Sequence, residues 1–223
     1  MKPILFNTQM VKAILDNKKT YTRRIIKLPK YIEKQKNGLY TLNAEGSVYV
    51  DKEFKDVVEY IKQPYKIGDI LYVKETWFKG DLLNDAEEIE EQGIIIYRAD
   101  RIKNDNWDYS AIKWRPSIHM PKELARIFLK IKSIKVERLQ DIDEEQAKRE
   151  GAKKQSWYQP FGTKVEDEQK YVGSLVNHKI NYKTGFADIW DMTIKEDKYS
   201  WEANPWVWVI EFEKVMGDID NEK

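Results

Sequence analysis

Apolar residues recur along this chain in two rhythms, and each rhythm predicts its own kind of element. Met10, Val11, Ile14 and Leu15 fall on one stripe at helical spacing behind Thr8, a residue type that caps helix starts, so a short helix is expected near residues 9–16. Asn17 tolerates left-handed backbone and is placed to end that helix. Gly68-Asp69 reads as a turn into Ile70-Leu71-Tyr72-Val73, a buried-strand run that leads into Lys74-Glu75-Thr76-Trp77. Ile94 to Tyr97 reads as another strand. From Arg126 to Leu139 the alternation is long: Ile127, Leu129 and Ile131 share one parity, whereas Ile134 and Val136 take the other. Such a phase shift near Ser133 predicts a bulge or sharp bend, of the kind found where a sheet curls. Asp143 with Gln146 resembles a capping box, and Gly151 ends the helix that holds Glu150. Phe186, Ile189 and Trp190 mark a further helix, and Pro205 opens a strand with Trp206, Trp208, Ile210 and Phe212 on one side.

Between these elements the pattern fades. Residues 31–63 are polar, carry Asn37-Gly38 and Glu45-Gly46 turn signals and end at Pro64, which predicts a short hairpin on an insertion. The acid-rich segment 81–91 predicts an exposed helix or loop. Residues 152–182 read as irregular, and the tail from Gly217 as acidic and frayed.

Two stretches concentrate chemistry. Lys18-Lys19-Thr20-Tyr21-Thr22-Arg23-Arg24 opens a run from Asn17 to Ile32 that holds six Lys or Arg and no acid. Its hydroxyls and cations suit an anion, a polar heterocycle or, with a carboxylate brought from elsewhere, an amide-cleaving site; a solvated basic turn explains the same residues. Lys19 and Thr22 would share a face on a helix but not on a straight strand, so a joint role needs a turn between them. Trp114-Arg115-Pro116-Ser117-Ile118-His119-Met120-Pro121 is braced by two prolines that exclude helix and central strand, yet it holds Trp, Arg, Ser and His. Rigid loops of that composition line sites. Arg24, Arg115 and either Trp77 or Trp114 are expected in one cleft, with Ser117 and His119 nearby.

Bulk composition narrows the classes. At 223 residues the chain suits one domain with insertions or two small ones. A balance of 39 basic against 38 acidic residues argues for local rather than broad nucleic-acid contact. The absence of Cys fits a reducing cytoplasm and excludes thiol catalysis, and with two distant His no soft-metal shell is expected. No apolar run approaches the roughly 20 residues of a membrane span. No cofactor is implied, and the oligomeric state is unspecified.

Three separated pieces resemble the ASCH domain, a PUA-like β-barrel: Asn-Lys-Lys-Thr-Tyr-Thr-Arg-Arg (17–24), Gly-Asp-Ile-Leu-Tyr-Val (68–73) and Trp-Val-Ile-Glu-Phe (208–212). Trp-Arg-Pro-Ser-Ile-His-Met-Pro (114–121), Glu-Arg-Leu-Gln-Asp-Ile (137–142) and Asn-Pro-Trp-Val-Trp (204–208) are similar to its phage and prophage branch, which is labelled morphogenesis-related. The resemblance implies an α+β fold: a single domain over 1–223, a PUA-like barrel flanked by short helices, with insertions at 31–63, 79–112 and 152–182. It also implies a site. The family's small bacterial N4-acetylcytidine amidohydrolases pair a Lys-x-x-Thr motif with a Glu on a later helix, and those positions fall on Lys19, Thr22 and Glu150, with the trailing Arg on Arg24. Asn17 stands where the motif usually has Gly.

The implied chemistry is hydrolysis of an acetamide on a modified nucleoside. Thr22 would be the nucleophile, activated by a Lys19 whose pKa is lowered by burial or by Lys18, Arg23 or Arg24. Glu150 would orient Lys19 or carry a proton, although its charge opposes the lowering of that pKa. Arg23, Arg24, Trp77, Trp114, Arg115, Ser117 and His119 would contact the nucleoside or RNA. Two other classes stand beside the enzyme: a PUA-like module that binds RNA or a modified base without chemistry, and a phage assembly factor. A structural Lys19–Glu150 ion pair would account for the trio without any function.

Overall fold

The structure, a computed structural model, describes residues 1–27, 40–42, 47–50, 57–83, 89–100, 112–156, 161 and 180–215. These are α+β: strands outnumber short helices, and the strand pairs among the described residues form no closed ring. The chain divides into two compact units. The first takes Met1–Asn17, Asp69–Lys130 and Lys214–Lys223; the second takes Lys18–Gly68 and Ile131–Glu213.

In the first unit, β1 (Lys2–Leu5) pairs in parallel with β6 (Ile70–Lys74), which pairs antiparallel with the first residues of β9 (Phe128–Arg138). Helix α1 (Thr8–Leu15) buries Val11 and Ile14, as its stripe predicts. Its cap is Asn7, one residue before the expected Thr8: the Asn7 carboxamide oxygen accepts from the Met10 N–H at 2.9 Å. Asn17 ends the helix in the left-handed region, at φ 55. Ile4, Leu71, Val73, Met120 and Leu129 are all at 1% exposure or less.

The antiparallel pair of β7 (Trp77–Leu83) and β8 (Ile89–Tyr97) corrects the expected exposed helix or loop at 81–83 and 89–91, and residues 84–88 lie outside the described residues. Strand pairing continues through Leu82↔Glu91 and Leu83↔Ile89, with register shifts on either side of Leu82. Those shifts break the period-two pattern by which a strand is read from sequence.

In the second unit, β2 (Tyr21–Ile25) pairs antiparallel with β10 (Trp206–Val215). The remainder of β9 is the next strand beside β10. β9 buries Leu129 and Ile131, then Val136, so the parity shift read near Ser133 is present. β10 buries Trp208, Ile210 and Phe212 of the expected side, and its other side is buried too at Val207 and Val209. Val207, Trp208, Val209 and Ile210 are all buried, because Val207 and Val209 enter the core formed by α2 (Glu144–Arg149) and α3 (Tyr182–Asp191). That core holds Leu139, Ile142, Ala147, Phe186, Ala187, Trp190 and Trp201.

Helix α2 starts at Asp143, whose carboxylate accepts from the Gln146 N–H at 2.7 Å, and it stops at Glu150 before Gly151 at φ 86. Within residues 31–63 the described residues hold three strands rather than a single hairpin. β3 (Tyr40–Leu42), β4 (Ser47–Val50) and β5 (Val57–Tyr60) form an antiparallel meander. The Asn37-Gly38 and Glu45-Gly46 turns, most of 152–182 and the tail from Gly217 lie outside the described residues.

Candidate functional site

The left-handed turn at Asn17 releases the chain from α1, and Lys19 then pairs as an isolated bridge with Glu150, the residue that caps the C-terminal end of α2. The Thr20 N–H donates to the Arg149 carbonyl at 2.8 Å, and the Thr20 carbonyl accepts from the Phe212 N–H at 2.9 Å. These backbone bonds fix the exit of the basic motif between a helix end and a strand of the same unit. Lys19 is 2% exposed. Its ammonium donates to Glu150 Oε2 at 2.6 Å and to the Glu150 carbonyl at 2.9 Å.

Arg23 takes the other carboxylate oxygen. Its Nη1 donates to Glu150 Oε1 at 3.1 Å, and its Nη2 to Gln146 Oε1 at 2.5 Å and Glu137 Oε2 at 3.4 Å. The guanidinium lies 5.7 Å from the centre of the Phe186 ring. Alternation along β2 puts Thr22 and Arg24 on one face and Arg23 on the other. Thr22 is 3% exposed and opposite Ile210. The site therefore has two sides: a carboxylate gripped by Lys19 and Arg23, and a strand face presenting Thr22 and Arg24.

Burial pushes the Lys19 ammonium below its ordinary 10.5, Glu150 pulls the other way, and Arg24 and Arg23 add to the lowering. Burial lowers Arg24 as well, against Tyr65 and Glu150. The Thr20 hydroxyl and Arg23 Nε are buried without a hydrogen-bond partner among the described residues. Sequence reasoning gives Gln146 a capping role and Glu137 a place in a motif, but neither a place in the site. Gln146 carried a signal, since it sits four residues before Glu150 and so shares its helical face; Glu137 carried none.

The remaining sequence-predicted residues lie in the first unit. Trp77 and Arg115 form a backbone bridge with bonds of 2.8 and 3.2 Å, and the exposed Arg115 guanidinium sits 5.0 Å from the buried Trp77 ring. Trp77 Nε1 has no acceptor among the described residues. Arg98 lies 6.0 Å from the Trp114 ring. Ser117 to His119 form a single 3-10 turn, held where Lys74 Nζ donates to the Ile118 carbonyl at 2.6 Å; His119 is exposed.

A second ionic group of this unit escaped sequence reading. Arg126 binds the buried Glu75 carboxylate through Nε and Nη2 at 2.9 and 3.0 Å, binds Asp100 at 2.7 Å and stacks 3.9 Å from the Tyr97 ring. Among the described residues no cluster of three or more His, Asp or Glu could hold a metal ion, and no helix is long and apolar enough to cross a membrane. Set against models of known protein families, curated proteins and solved structures, the chain matches none.

Proposed function

We propose that this chain is an ASCH-type amidohydrolase on a PUA-like scaffold, acting on a modified nucleoside that carries an acetamide, of the N4-acetylcytidine kind. The observation that carries the reading is the Lys19 ammonium, buried, pushed below its ordinary pKa and 2.6 Å from a carboxylate delivered across more than a hundred residues of chain. A lysine so placed can rest as a neutral amine and act as a general base.

In this reading Thr22 Oγ attacks the acetamide carbonyl carbon as its proton passes to Lys19. The carbonyl oxygen takes up the negative charge, and Arg24, on the same face of β2 as Thr22, offsets it. Collapse breaks the C–N bond, and the leaving N4 takes a proton from the Lys19–Glu150 pair. Water then hydrolyses the acyl-threonine and releases acetate.

A second reading draws on the first unit. An exposed Arg115 over Trp77, beside Trp114 and the proline-braced turn, suits a module that holds RNA or a modified base without chemistry. Purified protein incubated with acetylated and otherwise modified nucleosides, followed by mass spectrometry, separates the two. Release of free cytidine and acetate supports the hydrolase; retention of intact nucleoside on the protein supports the module.

A further inference from the structure

We propose that Arg23 is the positioning residue of the Lys19–Glu150 site: by holding one oxygen of the Glu150 carboxylate it answers that charge and leaves Lys19, on the other oxygen, able to release its proton. The inference rests on the hydrolase reading for its catalytic meaning, but not for its electrostatic content.

Alone, Lys19 and Glu150 form a neutral pair in which the carboxylate favours the charged form of the amine. Arg23 adds a second buried cation to the same carboxylate, so Lys19, Arg23 and Glu150 together carry one positive charge in excess. The Arg23 side chain has no exposed surface and Glu150 has 4%. Arg24, on the same strand, adds to the excess as far as Lys19 is concerned. An arginine does not give up its proton in a protein, whereas a buried lysine does, so the excess is relieved at Lys19.

The second contacts of Arg23 fix its aim. Gln146 is neutral and accepts at 2.5 Å, and Glu137 is further away at 3.4 Å and is also bound by Lys135 at the surface. The guanidinium is therefore oriented by groups that leave most of its charge for Glu150. Among the described residues the other charged or titratable groups around the site include Arg149, which faces Glu145, Glu211 and Tyr21, and Tyr65, which acts on Arg24. With its side chain wholly buried, Arg23 acts through Glu150 and not on substrate.

The test is the titration of the Lys19 amine, followed by NMR of 15N-labelled lysine side chains in the full chain, with folding checked by circular dichroism. Arg23→Gln should raise the Lys19 midpoint by about one pH unit or more, a tenfold change in proton affinity. Arg23→Lys, which keeps the charge, should return it towards the parent value. Glu137→Gln alters a partly exposed partner and folds even where Arg23→Gln does not; it removes a negative charge and should move the midpoint down. An unmoved midpoint in folded Arg23→Gln, or an upward shift in Glu137→Gln, overturns the proposal.

Activity separates this inference from the hydrolase reading. Turnover of an acetylated nucleoside whose acid limb of kcat/KM stays in place in Arg23→Gln overturns the role of Arg23 and leaves the hydrolase standing. Midpoints that move as described in a parent without turnover support Arg23 and sink the hydrolase.

Discussion

At the scale of single residues the second unit concentrates its electrostatic cost on one carboxylate. Glu150 receives Lys19 at 2.6 Å and Arg23 at 3.1 Å, all three buried. Removing one member of such a group is more damaging than never having built it, because the partners keep the cost of burial without its compensation. Glu150→Gln should therefore destabilise the protein by about 3–5 kcal/mol in urea unfolding. A loss under about 1 kcal/mol would mean that water already reaches the pair. Asp191 offers a smaller case: Oδ1 accepts from the Trp201 N–H at 2.7 Å and Oδ2 from the Phe161 N–H at 3.1 Å. Asparagine has only one acceptor oxygen, so Asp191→Asn sets an NH2 against a backbone N–H and should cost about 1–3 kcal/mol in the same assay. Lys19 and Glu150 were legible from the motif they resemble. The orientation of Arg23 was not, because a strand residue in a basic run gives no sign of which face will be buried.

Elements were legible wherever a single rhythm held. The helix after Asn7, the strand after Gly68 and the parity shift of β9 lie where their patterns placed them. The β7–β8 pair was hidden because acids in 81–91 read as a solvated surface and the register slips beside Leu82. On the other side of β10, Val207 and Val209 give no hint in sequence of the helices that cover them. Two glycine-like positions can be tested at this scale. Asn17 sits at φ 55, so Asn17→Ala should cost about 1–2 kcal/mol while Asn17→Gly stays close to the parent in thermal melting. In α3, a Cβ at Gly185 would overlap the Lys153 carbonyl oxygen, a backbone atom that cannot step aside alone. Gly185→Ala should therefore lower the melting temperature, although alanine is the better helix former by about 1 kcal/mol. A raised melting temperature would show that the helix can shift away from Lys153.

For the whole molecule, buried titratable groups predict the shape of stability against pH. Burial raises the Asp191 carboxyl above 3.8, against hydrogen bonds from Trp201 and Phe161, and Glu202 and Asp188 add to the rise. Its contribution is thus fully present below 3.8 and is lost as pH climbs through the folded value. Lys19 has the opposite sense. Its folded pKa lies below 10.5, so the unfolded chain binds more protons between the two values and stability rises with pH across that window. Melting temperatures across pH for the parent, Asp191→Asn and Lys19→Met should therefore diverge in opposite directions at the two ends. Parallel curves would count against both shifts. The division of the chain also sets an order of events during synthesis. The first unit takes its opening residues from Met1–Asn17 and its last from Lys214 onward, with all of Ile131–Glu213 made in between. A ribosome thus releases the end of the first unit only after the chain of the second is complete. The unit that begins first is finished last: its strands pair within residues 2–130, but the Leu15 carbonyl at the end of α1 receives the Lys214 ammonium, at 3.4 Å, only when those late residues arrive.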